Sequence, residues 1–251
     1  MTETNNSYHQ KINWREIFIF YVIAVTVSAP FRLNLINLSE VLPLPYGLNL
    51  FYRVFRGIGP LVGFLVVVYL LKSSVKRQNT FFGLSKMKSV LAILIIPIGL
   101  IIIGVYNNQS LNNHYYGLIT GFMLILYSLE EEYGWRGYLQ EALATLPAFK
   151  KIILIAVLWY IWHLNFLVPG ISLQMHIIHF LSLVLGSWGL LKVTESTYSI
   201  LFAMAVHLSF NILSDIDADP KRKIMVVLAS VLLWVVLIRS ILKKKAKANL
   251  V

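Results

Sequence analysis

The chain contains no cysteine. That absence excludes disulfides, thiolate metal sites and a cysteine nucleophile. Charge is also scarce: 13% of the 251 residues are charged and 58% are hydrophobic. Soluble domains usually carry about 25% charged and about 45–50% apolar residues. Acidic residues are the scarcest, with 11 Asp and Glu against 22 Lys and Arg, a net charge of +11. In a soluble protein that charge would suggest nucleic acid. Here the basic residues sit in short loops beside apolar runs, which is how membrane orientation is set, and no RNA- or DNA-binding motif occurs. No A-x-A cleavage site follows the first apolar stretch, only Ser28-Ala29-Pro30, so the first span is expected to be retained rather than removed as a signal peptide.

What is present is long apolar segments. They predict an all-α fold, a polytopic membrane helix bundle of about eight transmembrane helices. It is expected to form a single bundle over residues 16–242, with a polar cytoplasmic tail at 1–15 and a basic one at 243–251. The expected spans are 16–30, 51–71, 90–106, a fourth from about 115, then 152–168, 173–191, 197–213 and 224–242. The first span reaches Ile36 if tilted, but Arg32 argues for ending it near Pro30, although that version is shorter than the ~20 residues a crossing needs. Residues 37–50, with Pro43 and Pro45, read as a surface loop, and Lys192 and Glu195 as a short loop. Loops after spans two and four and the C-terminal tail are Lys-rich, while those after three and five have no Lys or Arg. This bias predicts a multi-pass cell-membrane protein with both termini cytoplasmic, although Lys221, Arg222 and Lys223 break the pattern.

The chain is organised around EEEYGWRG, residues 130–137. A charge at bilayer depth costs about 2.5–3.5 kcal/mol or more, so such groups face a protein interior or a wet cavity. Glu132 and Arg136 are four apart with the acid first, the better order for a helical ion pair. Glu131 lies about 100° round the same helix and is free to face a substrate, a water or a metal. The pattern Leu139, Ala142, Leu143 extends the helix beyond Arg136.

Two imidazoles match in depth. Lys151 to His163 and Glu195 to His207 are each twelve residues, roughly 18 Å of helix, and both spans enter from the same side. Asn211 shares the face of His207. Glu131 reaches that depth if helix four continues to about Leu143. A Glu, two His and an Asn suit water-mediated peptide hydrolysis, with Glu131 as general base, an imidazole orienting water or protonating the leaving amine, and an amide with an imidazole at the oxyanion. Glu131, His163 and His207 could instead hold a divalent metal such as Zn²⁺. The absence of H-E-x-x-H excludes a soluble-type zincin. Trp159 and Trp162 read by themselves as packing or belt residues, and His176 and His179 as interface residues, although depth does not exclude these two as ligands. Asp215, Asp217 and Asp219 lack the Gly and distal Glu of a calcium loop.

Together these residues resemble the CPBP family, the CAAX protease and bacteriocin-processing family also called Abi, which includes the type II CAAX prenyl protease. Its pattern is EExxxR, FxxxH and HxxxN or HxxxD. This chain supplies Glu131, Glu132 and Arg136, then His163 from WYIWH, then His207 and Asn211 from HLSFN. The resemblance covers about residues 115–215. Trp159 stands where the second motif has Phe, an aromatic exchange that keeps the substrate pocket lined. The resemblance implies an intramembrane endopeptidase in which Glu131 and His163 activate water, His207 and Asn211 form the oxyanion site, and Glu132 and Arg136 support them. Its substrate would be a membrane-associated peptide or protein, in bacteriocin processing or self-immunity. The resemblance does not decide between a glutamate-dependent and a metal-dependent hydrolase. Two other readings stand beside it: a non-catalytic immunity or regulatory protein binding a bacteriocin receptor or sensor kinase, and a transporter using the Glu/His set as a proton relay.

Overall fold

A computed structural model of the chain describes residues 11–36, 38, 51–108 and 110–248. Residues 1–10 of the polar tail and nearly all of the expected surface loop at 37–50 lie outside the described residues. Eight helices follow one another: α1 (Trp14–Arg32), α2 (Phe51–Leu70), α3 (Lys86–Ile103), α4 (Asn113–Gly134), α5 (Ala148–His163), α6 (Leu173–Thr197), α7 (Ile200–Ser214) and α8 (Pro220–Ala248). No strand is present among the described residues. Five helices, α1, α2, α3, α6 and α8, are long and apolar enough to cross a bilayer. Of the others, α4 carries the Glu cluster, and α5 and α7 are shorter.

The helix starts are set by side chains that satisfy backbone N–H groups. Asn13, Asn112, Ser172 and Ser199 each accept from the first turn of α1, α4, α6 and α7. The helices approach closely where residues are small, as membrane helices do. A Cβ on Gly59 of α2 would lie 2.0 Å from the Ala24 carbonyl oxygen of α1. One on Gly117 of α4 would lie 2.4 Å from that of Leu100 in α3. Two apolar clusters result, one around Phe20, Trp135 and Trp162, the other around Ile96, Phe202 and Trp234.

Three expectations are corrected. Arg32 does not end the first span early; α1 runs through Pro30 to Arg32, because the guanidinium turns inward onto Trp162 and so does not face lipid. Lys192 and Glu195 are not a loop but lie in α6, paired with each other at 3.0 Å on its surface. There Thr194 bonds back to the Leu190 carbonyl and helix α6 ends only at left-handed Tyr198 (φ 52°). Helix α5 stops at His163 rather than reaching 168, because Leu164 takes a left-handed conformation (φ 57°). That conformation costs about 1–3 kcal/mol in a residue other than glycine and collects at functional sites.

The expected continuation of α4 is present. It passes through a π-helical turn, Trp135–Leu139, into Gln140–Ala142. Such turns are frequent at functional sites. The segment between α2 and α3 lies across the same end of the bundle. Asn79 donates its backbone N–H to Glu141 (2.8 Å) and its side-chain amide to the Arg136 carbonyl (3.1 Å). Backbone bonds join Thr80 and Leu84 to the turn between α6 and α7.

Candidate functional site

Consecutive residues on a helix point about 100° apart, and the three glutamates use this. Glu130 sits against Gly57 of α2. Glu132, fully buried, joins α4 to α7: its Oε1 accepts from His207 Nδ1 at 2.7 Å, and its Oε2 lies 3.3 Å from Arg136 Nε. Glu131 turns the third way. Its Oε2 accepts the indole N–H of Trp159 at 2.8 Å, while its buried Oε1 lies 4.0 Å from the Arg32 guanidinium, which also donates to the Tyr127 hydroxyl.

The imidazoles are oriented by what their Nδ1 atoms touch. His163 Nδ1 lies 2.7 Å from the Trp159 carbonyl. A carbonyl only accepts, so that nitrogen carries the proton, leaving Nε2 with its lone pair in the neutral ring. His207 Nδ1 donates to the Glu132 carboxylate, which fixes the ring and is placed to hold an imidazolium with Nε2–H pointing away from it. Asn211, four residues on, is buried, and its amide Nδ2 has no hydrogen-bond partner. Buried polar groups are almost always paired, so an orphan needs an explanation.

These groups share a cavity of about 1240 Å³ lined by Glu131, Trp159, His163, His207 and Asn211. It runs between α4 on one side and α6 on the other, with α5 and α7 behind. The structure thus brings Glu131, Trp159, His163, His207 and Asn211 to one cavity, while Glu132 lies behind it against His207. Arg136 stays behind it, its guanidinium 4.7 Å from the Trp159 ring.

Trp159 is more than packing. Its N–H holds Glu131, and its ring lies 5.4 Å from that of His207 and 6.1 Å from that of His163. Trp162 is also more than packing, for it anchors α5 to the Ala24 carbonyl of α1 and carries Arg32 over its face at 3.4 Å. His176 and His179, near the start of α6, both line the cavity, and the His179 ring stands 4.6 Å from that of His163.

Two residues escaped the sequence reading. Arg32 lies within the cavity wall, 8% exposed in its side chain, and donates to the Tyr127 hydroxyl at 3.0 Å. Tyr127 is one helical turn before Glu131. The signal for Arg32 was its charge inside an apolar span; Tyr127 carried none.

The donor set does not fit a preformed three-ligand metal site. Among the described residues, no three His, Asp or Glu side chains converge to hold an ion.

Residues 112–213 match the model of a family described as type II CAAX prenyl endopeptidase, Rce1-like. No curated protein and no solved structure matches the chain.

Proposed function

We propose, from the membership in the CAAX protease family that this match supports, that the chain is an intramembrane endopeptidase whose reacting groups are Glu131, His163, His207 and Asn211. The observation that carries the reading is the convergence of Glu131, His163, His207 and Asn211 on one cavity, with a donor at Asn211 Nδ2 that meets no protein acceptor. A water seated between Glu131 and a scissile carbonyl would be deprotonated by the carboxylate, with His163 Nε2 as its second acceptor. The hydroxide adds to the carbonyl carbon, and the oxyanion is met by Asn211 Nδ2 and by the Nε2–H of His207, whose ring carries both protons as an imidazolium against the Glu132 carboxylate. The proton taken from water passes to the amide nitrogen as the C–N bond breaks, releasing an amine and a carboxylic acid, whose remaining proton His163 Nε2 can accept. Glu132 and Arg136 position His207 and Trp159, and Trp159 positions Glu131, besides lining the substrate pocket.

The substrate is a membrane-associated peptide or protein, of the kind met in bacteriocin processing or self-immunity. The bundle lies with both termini cytoplasmic, supported by the crowding of lysines and arginines at the end where α1 starts and α8 finishes.

The test compares peptide N-termini in cells carrying the wild type and cells carrying Glu131→Gln at equal membrane abundance. Termini formed only with the wild type are expected. Identical profiles, with candidate substrates present, would overturn the protease reading in favour of a binding role.

A further inference from the structure

The two ends of the bundle differ in charge and in closure. At one end lie Lys11, Arg15, the basic residues of 72–88, Lys150, Lys151, Lys192 and the lysines of 243–247. Short loops rich in Lys and Arg remain in the cytoplasm. This is also the end that the 78–84 segment seals. Its backbone is stitched to Glu141 on the extension of α4 and to Thr197 and Tyr198 between α6 and α7. Beneath that seal, Gln140 donates to Thr194 at 2.8 Å across buried ground.

The cavity reaches the other end. Its rim is made of Gly170, Ile171 and Ser172 between α5 and α6, Asp215 and Ile216 after α7, and Arg53 at the start of α2. Among the described residues, none of the sealed end lines it. Arg32 comes from the last turn of α1 at this same open end, but its charge is turned inward onto Trp162 and Tyr127. It therefore does not count among the loop charges that set orientation; Arg53, Arg56, Lys221, Arg222 and Lys223 do lie at this end, but they are outnumbered by the 14 lysines and arginines of the other end.

We infer that the cavity opens on the non-cytoplasmic face of the membrane, so that the peptide bond delivered to Glu131 belongs to an extracytoplasmic segment: a secreted peptide, or the outer juxtamembrane stretch of a membrane protein. Sidedness follows from charge and closure alone. The substrate class rests in addition on the protease reading. A cytoplasmic protein reaches this site only after crossing the membrane. The chain's own α5–α6 and α7–α8 turns form the threshold its substrate passes.

The lack of cysteine makes the test direct, because a single introduced thiol is the only one. Val168→Cys and Ser214→Cys place a thiol at exposed positions of the open end, and Ala144→Cys places one at an exposed position of the sealed end. Intact cells are treated with a membrane-impermeant maleimide, with and without prior permeabilisation, and total thiol is measured after denaturation. Val168→Cys and Ser214→Cys are expected to label in intact cells, and Ala144→Cys only after permeabilisation. The reverse pattern overturns the inference. In parallel, N-termini that depend on intact Glu131 are mapped to their proteins. Termini in extracytoplasmic segments support the substrate class, and termini in cytoplasmic segments overturn it. Outward labelling without any Glu131-dependent terminus leaves sidedness standing while the protease reading falls.

Discussion

Replacing Arg32 by Met removes the cation that the structure sets 4.0 Å from Glu131 Oε1 while keeping most of the apolar stem. At that separation, with an effective dielectric constant of about 20, the Coulomb attraction amounts to about 4 kcal/mol. Two further losses are local: the donation to the Tyr127 hydroxyl and the contact over the Trp162 face, the latter about 0.5–2 kcal/mol. Water in the cavity screens part of the attraction. A double-mutant cycle isolates it, because Arg32→Met in a Glu131→Gln background loses the local contacts but not the ion pair. We expect Arg32→Met to destabilise the wild type by about 1–3 kcal/mol more than it destabilises Glu131→Gln, within the range of about 0.5–3 kcal/mol seen for groups in contact. The assay is chemical unfolding in mixed micelles, followed by the fluorescence of the tryptophans that surround the site. Arg32→Lys keeps a charge and should recover part of the coupling, though not the planar stack. A coupling below about 0.5 kcal/mol, the limit for independent sites, would show that Arg32 does not act on Glu131 and would refute this account of the cavity wall.

Other substitutions separate chemistry from folding. Asn211→Ala should lower product formation by about 10²–10³-fold, the cost of one oxyanion donor. It should leave unfolding nearly unchanged, since Nδ2 has no protein partner; measured loss of stability with full activity would count against its role. Glu132→Gln should do the opposite first. It breaks a buried carboxylate that serves both His207 and Arg136, and removing one member of a buried ionic group costs about 3–5 kcal/mol, read as lower membrane abundance. Gly59→Leu should block the approach of α1 to α2, because its Cβ would meet the Ala24 carbonyl at 2.0 Å. Backbone cannot yield there, and a cost of about 3 kcal/mol or more should appear as protein lost from the membrane.

Much of this molecule was written locally. Apolar run lengths set the eight helices, since a backbone in hydrocarbon must satisfy its own hydrogen bonds. Helical spacing set the Glu132–Arg136 pair and the divergence of Glu131, and loop charges suggested an orientation. Three short motifs on separate helices marked Glu131, His163, His207 and Asn211 before any contact was known. Contacts between distant segments were not written there. That Trp159 would donate to Glu131, that Arg32 would fold inward from α1, and that His179 would stand against His163 depend on how α1, α4, α5 and α6 rotate about their axes. Those rotations are decided by close approach at small residues such as Gly59 and Gly117, and by the left-handed stop at Leu164 that ends α5 at His163. Sequence periodicity tells which residues share a face of one helix. Which face meets which is settled only when all the faces are packed, and with it which end of the cavity is closed and which is open.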